Sequence, residues 1–426
     1  MRVIHSAEQR IERGRNERKK MSRGAHGDLL REHRAFDPMT VLQSSEEGRL
    51  KQLLPIKYER MAADPFAFFR GAVSIMAADL GRLPHTSIDV QLCGDAHVQN
   101  LGSFAAPDGK LLFDFNDFDE TIRGPFEWDL KRMATSIVLA GRLAEHKRAA
   151  CHDAAEIFVE RYCSFIAEFS KQPILEVARH QIHREERVKP IHAALQQSQR
   201  ATPAELLKKY TDNWKFRNER PNLRRLRGTE AGSVLSSLGP YRESLRPENQ
   251  HVFDMFRPVD VAFKVVGTGS VGLRDYVVLF EGNGMSDALF LQIKQEMPSA
   301  YGRFLPRVVY EHEGRRVVDG RRAMQPFSDI LLGWTSLGGY EFLVRQLNDH
   351  KGSIDIRLLR GTGLDELAEV AGELMARGHV RSGDACEIYG YCGGGSKMVR
   401  AIRNFAATYA DVTESDYEKF LTWRSK

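Results

Sequence analysis

The chain of 426 residues has few cysteines, no long apolar run and little excess charge. Its five cysteines are scattered without CxxC or paired-histidine spacing, which argues against both a disulfide framework and a zinc site. No stretch approaches the roughly 18 apolar residues that cross a bilayer, and the charged first residues do not resemble an export signal. These absences predict a cytoplasmic protein without a membrane partner.

The net charge of +5 is small, but basic residues crowd the first segment. They are Arg10, Arg13, Arg15, Arg18, Lys19, Lys20 and Arg23. Such a segment would suit nucleic acid or an acidic partner, yet it lacks the aromatic side chains that stack on bases. A solvated basic arm is the simpler interpretation, so nucleic acid is not expected as a partner and a protein partner is left open.

Four segments are predicted along the chain, whose length fits two or three packed units at about 100–200 residues per domain. The segments are a basic arm with helices (1–60), a mainly helical lobe (61–250), a β-rich lobe (251–350) and C-terminal helices that pack on the helical lobe (351–426).

The helical lobe is predicted to open with a helix and a strand. Asp64 followed by Pro65 is typical of a helix start and predicts a buried helix over residues 64–80. Residues 88–92 alternate apolar and polar side chains, as a strand does. Asp95 would therefore lie in the loop that follows this strand.

A hairpin and a long helix are predicted next. Residues 100–104 and 110–115 flank a Pro-Asp-Gly turn signal, and apolar residues at helical spacing predict a helix over residues 128–142. Asp117 and Asp119 come at the exit of the hairpin. The chain thus has two groups of carboxylates close in sequence. They suit phosphoryl transfer, because that reaction needs an orienting carboxylate and oxygen ligands for magnesium.

The β-rich lobe carries glycines between two predicted strands. Gly267, Gly269, Ser270 and Gly272 form a GxGxxG run, which by itself is a weak signal. A dinucleotide-binding fingerprint needs a helix after the third glycine, and β-rich sequence follows here instead. A strand, a glycine turn and a second strand are typical of a loop that covers nucleotide phosphates. Lys294 lies at the end of the next predicted strand. The competing interpretation is a tight hairpin with a solvated lysine.

Two of these motifs resemble a known superfamily. The pattern Gly-Asp-x-His-x-x-Asn over residues 94–100 is similar to the catalytic loop of the aminoglycoside-phosphotransferase and choline-kinase branch of the protein-kinase-like superfamily. Asp-Phe-Asp over residues 117–119 resembles its Asp-Phe-Gly metal motif. Residues 65–132 and 264–353 more closely resemble the bacterial domain-of-unknown-function family 2252. The resemblance implies an α+β, protein-kinase-like two-lobe fold that binds ATP and Mg²⁺.

The same resemblance implies catalytic and metal-binding roles for the carboxylates. Asp95 would orient or deprotonate an acceptor hydroxyl, while Asn100 and Asp117 would ligate Mg²⁺ through oxygen. Asp119 or Asp114 would assist with a second metal ion, and Asp114 competes with Asp117 for the first. The alternative for Asp95 is a turn carboxylate that caps local amides.

Supporting roles also follow from the resemblance. Lys294 and the glycine run would contact the nucleotide phosphates, His97 would be a structural hydrogen-bonding residue, and Asp129 would anchor the backbone of the catalytic loop. The superfamily commonly has His or an Arg-bearing motif just before the Gly-Asp pair, where this chain has Cys93. The geometry of the loop is therefore expected to differ.

The two halves of the site come in reversed order, because kinase-like proteins present the glycine loop and lysine before the catalytic aspartate. A circular permutation explains this order, since termini that lie near one another at the surface can be joined while a different loop is opened. The acidic partner of Lys294 is left open among Glu296, Glu311 and Glu313.

The sequence thus predicts an ATP- and Mg²⁺-dependent phosphotransferase that acts on a small hydroxylated acceptor. A nucleotide-binding regulatory protein without turnover and a nucleotidyl (AMP) transferase on the same fold are the alternatives. Asp95, Asn100 and Asp117 together favour turnover over binding alone. The sequence does not identify the acceptor.

Overall fold

The computed structural model of the protein describes residues 5–28, 34–106, 109–180, 188–265, 267–305, 308–347 and 352–425. The fold mixes helices and strands, which confirms the predicted α+β class. None of the described helices is both long enough and apolar enough to cross a membrane. All five cysteines are described, and each is a buried free thiol.

Helices dominate the described chain. They are α1 (Ala7–Lys20), α2 (Pro38–Ser44), α3 (Leu54–Met61), α4 (Pro65–Gly71), α5 (Val73–Leu80), α6 (Glu127–Leu143), α7 (Arg148–Phe169), α8 (Ile174–Arg179), α9 (Lys189–Arg200), α10 (Pro203–Tyr210), α11 (Gly228–Ser236), α12 (Leu238–Ser244), α13 (Pro247–Asp254), α14 (Glu313–Met324), α15 (Gly363–Ser382), α16 (Ala385–Cys392) and α17 (Ser396–Arg424). The strands are β1 (Asp89–Leu92), β2 (Leu101–Ala105), β3 (Leu111–Phe115), β4 (Ile122–Pro125), β5 (Thr211–Asp212), β6 (Lys215–Phe216), β7 (Leu223–Arg225), β8 (Arg257–Lys264), β9 (Asp275–Gly282), β10 (Gly284–Gln295), β11 (Gly333–Leu337), β12 (Tyr340–Gln346) and β13 (Gly352–Ser353).

The largest sheet in the described chain has six antiparallel strands in the order β11-β12-β10-β9-β8-β7. Successive side chains of β9 point to opposite faces, so Val278 and Phe280 join the apolar cluster on one face and Val277 and Leu279 the cluster on the other. β7 lies before residue 251, where the β-rich segment was predicted to begin, yet it pairs with β8. The sheet therefore recruits residues from the preceding segment.

The helical part has a large apolar core, in which α7 packs along α15 and α17 packs against α6 and α7. Every residue of α6 from Glu127 to Gly141 is buried. This burial brings polar residues of α6, including Asp129 and Arg132, into the interior. Two of the smaller sheets, β1 with β4 and β13-β2-β3, belong to the same part of the molecule.

The helix predicted over residues 64–80 begins as expected but is broken. Asp64 accepts a hydrogen bond from the backbone N–H of Ala67 at 2.7 Å, so it caps α4. The backbone leaves the helical conformation at Ala72, where φ is −119° and ψ is 38°, and α5 starts at the next residue. The predicted hairpin is formed by β2 and β3. Pro107 and Asp108 of its turn lie outside the described residues.

The basic N-terminal segment is docked on the C-terminal helices. α1 packs against α16. Arg18 donates to the carbonyl oxygens of Tyr391, at 2.8 Å, and Gly390, and Arg23 donates to that of Cys392 at 2.8 Å. The interpretation as a solvated arm is therefore wrong for these two arginines, because the carbonyl groups at the end of α16 need donors.

Candidate functional site

A cavity of about 1130 Å³ lies where the helical part meets the six-stranded sheet. The predicted site residues at its wall are Asp95, His97, Asn100, Asp117, Asp119, Gly267, Gly269 and Ser270. The predicted residues that lie outside this wall are Asp114, Asp129, Gly272 and Lys294. The fold thus brings two distant segments of the chain to one cavity.

A tight loop after β1 holds Asp95. Gly94 has a φ of +84°, and a Cβ there would overlap the carbonyl oxygen of Glu120, so glycine is required. The backbone N–H groups of Cys93 and Gly94 donate to Asp129 at 2.6 and 3.0 Å. The loop is therefore held by a carboxylate in the first turn of α6, and Cys93 Sγ adds a 3.5 Å contact to the carbonyl oxygen of Asp117.

A buried arginine holds the carboxylate of Asp95. Arg132 Nε donates to its Oδ1 at 2.8 Å, and Nη2 donates to the same oxygen. His97 Nε2 lies 3.6 Å from the other oxygen, Oδ2. Burial lowers the pKa of His97 to about 3, so its ring is uncharged at neutral pH. Arg132 is therefore the cation that balances Asp95.

Asn100 connects the two carboxylate-bearing loops. Its Nδ2 donates to the carbonyl oxygens of Asp95 and Asp117, both at 2.9 Å. Its Oδ1 accepts from the backbone N–H groups of Asp117 at 2.6 Å and Asn116 at 3.3 Å. The amide fixes the spacing of the two loops, and its role as a metal ligand stays a prediction.

Lys294 on β10 forms an ion pair with Asp119, and its Nζ lies 3.9 Å from Asp117 Oδ1. Burial alone would lower the pKa of Lys294, but Asp117 and Asp119 raise it above its ordinary value. The lysine is therefore charged at neutral pH. Among the described residues, its ion-pair partners are Asp119 and Asp117, and none of the three glutamates that the sequence left open.

Asp119 combines a raised pKa with an unsatisfied oxygen. Burial and the neighbouring Asp117 raise its pKa to about 7, against the opposing effect of Lys294. Its Oδ1 is buried without a hydrogen-bond partner in the described part of the chain. A buried acceptor of this kind is unfavourable unless a donor or a cation satisfies it.

The donor set at this point fits a hard cation that is shared with phosphate. Mg²⁺ is usually bound by one or two protein carboxylates and completes its octahedral shell with water and phosphate oxygens. Asp117 and Asp119 supply two such carboxylates at the cavity wall. Within the described ranges no group of three or more His, Cys, Asp or Glu has the arrangement of a metal site, so a metal held by protein ligands alone is not supported there.

Two residues that the sequence analysis did not select hold the acidic loops. Arg316 on α14 is 1% exposed and donates to the carbonyl oxygens of Asp119 and Met297, each at 2.8 Å. Tyr301 Oη donates to the carbonyl oxygen of Gly94 at 2.8 Å. The carbonyl groups that they hold lie outside their own local sequence, so no local sequence signal identifies this role.

The N-terminal segment fixes the glycine run from outside. Arg49 Nη1 donates to the carbonyl oxygens of Gly269 and Val271 at 2.8 and 2.7 Å. The backbone N–H of Leu50 donates to the carbonyl oxygen of Gly272 at 2.7 Å. Gly272 has a φ of +94°, a conformation that favours glycine. The run is therefore held at the cavity by residues far earlier in the chain.

Asp114 lies in the interior, outside the cavity wall. Its buried side chain forms an ion pair with Arg377 on α15, and its Oδ1 accepts from the backbone N–H of Phe115 at 2.9 Å. Of the two aspartates that competed for the metal-binding role, Asp117 is the one that lines the cavity.

Lys57 on α3 also lines the cavity, although the sequence analysis did not select it. The residue is 1% exposed and has no hydrogen-bond or ion-pair partner among the described residues. Burial and the nearby charge of Arg49 lower its pKa to about 7, against the opposing effect of Glu46.

Replacing Lys57 with Met is expected to raise the free energy of unfolding at neutral pH. Because the pKa falls from 10.5 to about 7 on folding, the unfolded chain binds more protons than the native state between these values. The contribution of Lys57 to wild-type stability therefore becomes less unfavourable as pH rises across this window, and the gain from Lys57→Met shrinks. At about 1.4 kcal/mol per pKa unit, the fall from 10.5 to about 7 makes the gain near pH 7 on the order of 4 kcal/mol.

Denaturant unfolding near pH 7 and near pH 10 measures this effect. Lys51→Met is the matched control, because Lys51 is exposed on the same segment. The control is expected to leave the unfolding free energy nearly unchanged at both pH values. A gain from Lys57→Met that does not depend on pH would contradict the assignment of a buried, unpaired lysine.

Comparison with known proteins gives a family without a described activity. No curated protein and no solved structure was found to match the chain. Residues 49–422 match the model of a family described as uncharacterized protein conserved in bacteria (DUF2252), a span that includes every site residue predicted from the sequence. The chain therefore belongs to this bacterial family.

Proposed function

We propose that the protein is an ATP- and Mg²⁺-dependent phosphotransferase with a circularly permuted, protein-kinase-like fold, acting in the cytoplasm on a small hydroxylated acceptor. The observation that carries this proposal is the convergence of two distant motifs on one cavity. Asp95, Asp117 and Asp119 line it together with the glycine run, and Lys294 is paired with Asp119. An isolated hairpin and a solvated lysine would not explain this arrangement.

The strand order supports the proposed permutation. β8 and β9 flank the glycine run as antiparallel neighbours, and β10 carries Lys294 beside β9. In the resembled superfamily this unit of strand, glycine turn, strand and lysine precedes the catalytic loop, whereas here it follows that loop. Lys294 and Arg316 join the unit to the acidic loop, so the same neighbours meet in either chain order.

Asp95 would act on the acceptor hydroxyl. Both contacts from Arg132 fall on Oδ1, which leaves Oδ2 as the oxygen that would accept the proton. In the transfer, the acceptor oxygen forms a bond to the γ-phosphorus, the bond from that phosphorus to the bridging oxygen breaks, and ADP leaves. The hydroxyl proton passes to Asp95.

Asp117 and Asp119 would hold Mg²⁺, which neutralises charge on the nucleotide phosphates when it is bound. The unsatisfied Oδ1 of Asp119 suits this role, and Lys294 adds a buried positive charge beside it. The cavity of about 1130 Å³ is also large enough for two substrates, because single small-molecule sites are roughly 300–1,000 Å³.

Two other functions would use the same cavity. A regulatory protein would bind the nucleotide without turnover, and a nucleotidyl transferase would release pyrophosphate. Product analysis with ATP and Mg²⁺ separates the three. ADP would support phosphoryl transfer, pyrophosphate would support nucleotidyl transfer, and binding without any product would support a regulatory protein.

ATP with Mg²⁺ is expected to raise the thermal stability of the wild-type protein, and to raise it less in Asp117→Ala and Lys294→Ala. A ligand at about 100 times its Kd adds about 2.7 kcal/mol to the free energy of unfolding. The two residues belong to distant segments, so a smaller shift in both variants would identify one composite site. Thermal unfolding with and without ATP and Mg²⁺ measures the shift.

Exposed residues that do not themselves line the cavity provide matched controls for both variants. Asp153→Ala on α7 and Lys208→Ala on α10 are expected to keep the full shift. The absence of a shift with any nucleotide in the wild-type protein would refute the proposed nucleotide site. A shift that is lost only in Asp117→Ala would exclude Lys294 from it.

A further inference from the structure

Three side chains from consecutive helices bring unsatisfied hydrogen-bond donors to the cavity. Lys57 on α3, Arg70 on α4 and Ser74 on α5 all line it, and we refer to them as the donor cluster. Lys57 and Ser74 are only 1% and 3% exposed. In the described part of the chain, Arg70 Nε and Ser74 Oγ have no hydrogen-bond partner, and neither does Lys57.

Arg70 connects the donor cluster to the proposed catalytic loop. Its Nη1 donates to Gln99 Oε1 at 2.5 Å, next to Asn100 in that loop. Burial lowers the pKa of Arg70, while Asp95 and Asp117 act in the opposite direction, so its charge lies within electrostatic reach of both carboxylates. Arg70, one member of the donor cluster, is therefore close to the region where the acceptor hydroxyl would meet the γ-phosphate.

The chemistry of the donor cluster selects an anion. Buried donors without acceptors are unfavourable, and burial of a positive charge adds a further cost that a bound anion would offset. The oxygens of phosphate or carboxylate accept from ammonium, guanidinium and hydroxyl groups alike. In the proposed function the nucleotide phosphates already have the glycine run, Lys294 and Mg²⁺. A further oxyanion would therefore belong to the other substrate.

We infer that the donor cluster is a subsite for an oxyanion of the acceptor, an inference that rests on the proposed function for the existence of that acceptor. The acceptor is then a hydroxyl compound that also carries a phosphate or carboxylate group. Aminoglycosides and choline, the acceptors that name the resembled branch, are cations, and Lys57 and Arg70 repel cations. The acceptor of this protein thus differs in charge from theirs.

Sulfate is a suitable probe, because it is an oxyanion whose charge does not change near neutral pH. Calorimetric titration of the full chain with sulfate is expected to show binding both without nucleotide and with a saturating non-hydrolysable ATP analogue and Mg²⁺. Losing a charged hydrogen bond is worth about 1.5–3 kcal/mol, so Lys57→Met is expected to weaken sulfate binding roughly tenfold or more. Ser74→Ala should weaken it by a smaller factor, and the exposed Lys51→Met should not change it.

The arms of this experiment separate the two sources of an oxyanion. Displacement of sulfate by the ATP analogue would assign the donor cluster to the nucleotide phosphates and overturn the inference. Equal sulfate affinity in the wild type, Lys57→Met and Ser74→Ala would overturn it as well. If the analogue does not bind but sulfate binding still depends on Lys57, the proposed function fails while the anion subsite stands.

Discussion

Asp95→Asn is expected to lower nucleotide turnover by about 10²–10⁴-fold while leaving nucleotide affinity nearly unchanged. The carboxamide has almost the same shape as the carboxylate, but it cannot take the proton of the acceptor hydroxyl. In the proposed function the nucleotide contacts the glycine run and Lys294, which this substitution does not touch. ADP release, with water or an added hydroxyl compound as acceptor, measures turnover, and calorimetry measures affinity.

The contact between Arg132 and Asp95 makes a stability control necessary. The buried guanidinium loses its counter-charge in Asp95→Asn, although the amide oxygen still accepts a hydrogen bond. Denaturant unfolding of the variant separates a loss of fold from a loss of chemistry. Asp153→Asn, an exposed carboxylate paired with Arg403, is the matched control and should turn over like the wild type. Turnover in Asp95→Asn within roughly threefold of the wild type would contradict a role in proton transfer.

Asp129→Ala is expected to lower the free energy of unfolding by about 2–6 kcal/mol. The carboxylate is 1% exposed and accepts from the backbone N–H groups of Cys93 and Gly94. Alanine leaves both buried N–H groups without an acceptor, and each costs about 1–3 kcal/mol. Denaturant unfolding followed by circular dichroism measures the loss.

Turnover is expected to fall together with stability in this variant, because the loop that Asp129 holds carries Asp95. Asp129→Asn keeps one acceptor oxygen, so its loss of stability should be intermediate. Asp153→Ala removes an exposed carboxylate and should cost little. If Asp129→Ala lost no more stability than this control, the loop would not depend on Asp129.

Local patterns in the sequence were sufficient for much of the secondary structure around the site. The alternation of residues 88–92 corresponds to β1, and the apolar spacing of residues 128–142 corresponds to α6. β7 was missed, because a three-residue strand with two arginines has no alternation that distinguishes it from a loop. It is a strand because its backbone pairs with that of β8.

The site residues also divide into those that local sequence identifies and those that only long-range contacts reveal. The spacing of Asp95, Asp117 and Asp119 was enough to select them, because they belong to two short motifs that lie close in sequence. The partner of Lys294 was not accessible in this way, since Asp119 is 175 residues away. A contact at that separation depends on how the sheet packs on the helical part, as does the contact of Arg132 with Asp95.

The sequence by itself determined the α+β class, the family and the two short motifs that bring aspartates and glycines to the cavity, because each of these rests on short-range patterns. Only the tertiary structure decided which charged side chains form ion pairs and which have no ion-pair partner among the described residues. It pairs Lys294 with Asp119 and Asp114 with Arg377, and it buries Lys57 without a described partner. A lysine on a short helix is ordinarily solvated, and the burial of Lys57 depends on the packing of segments that the sequence of α3 does not specify.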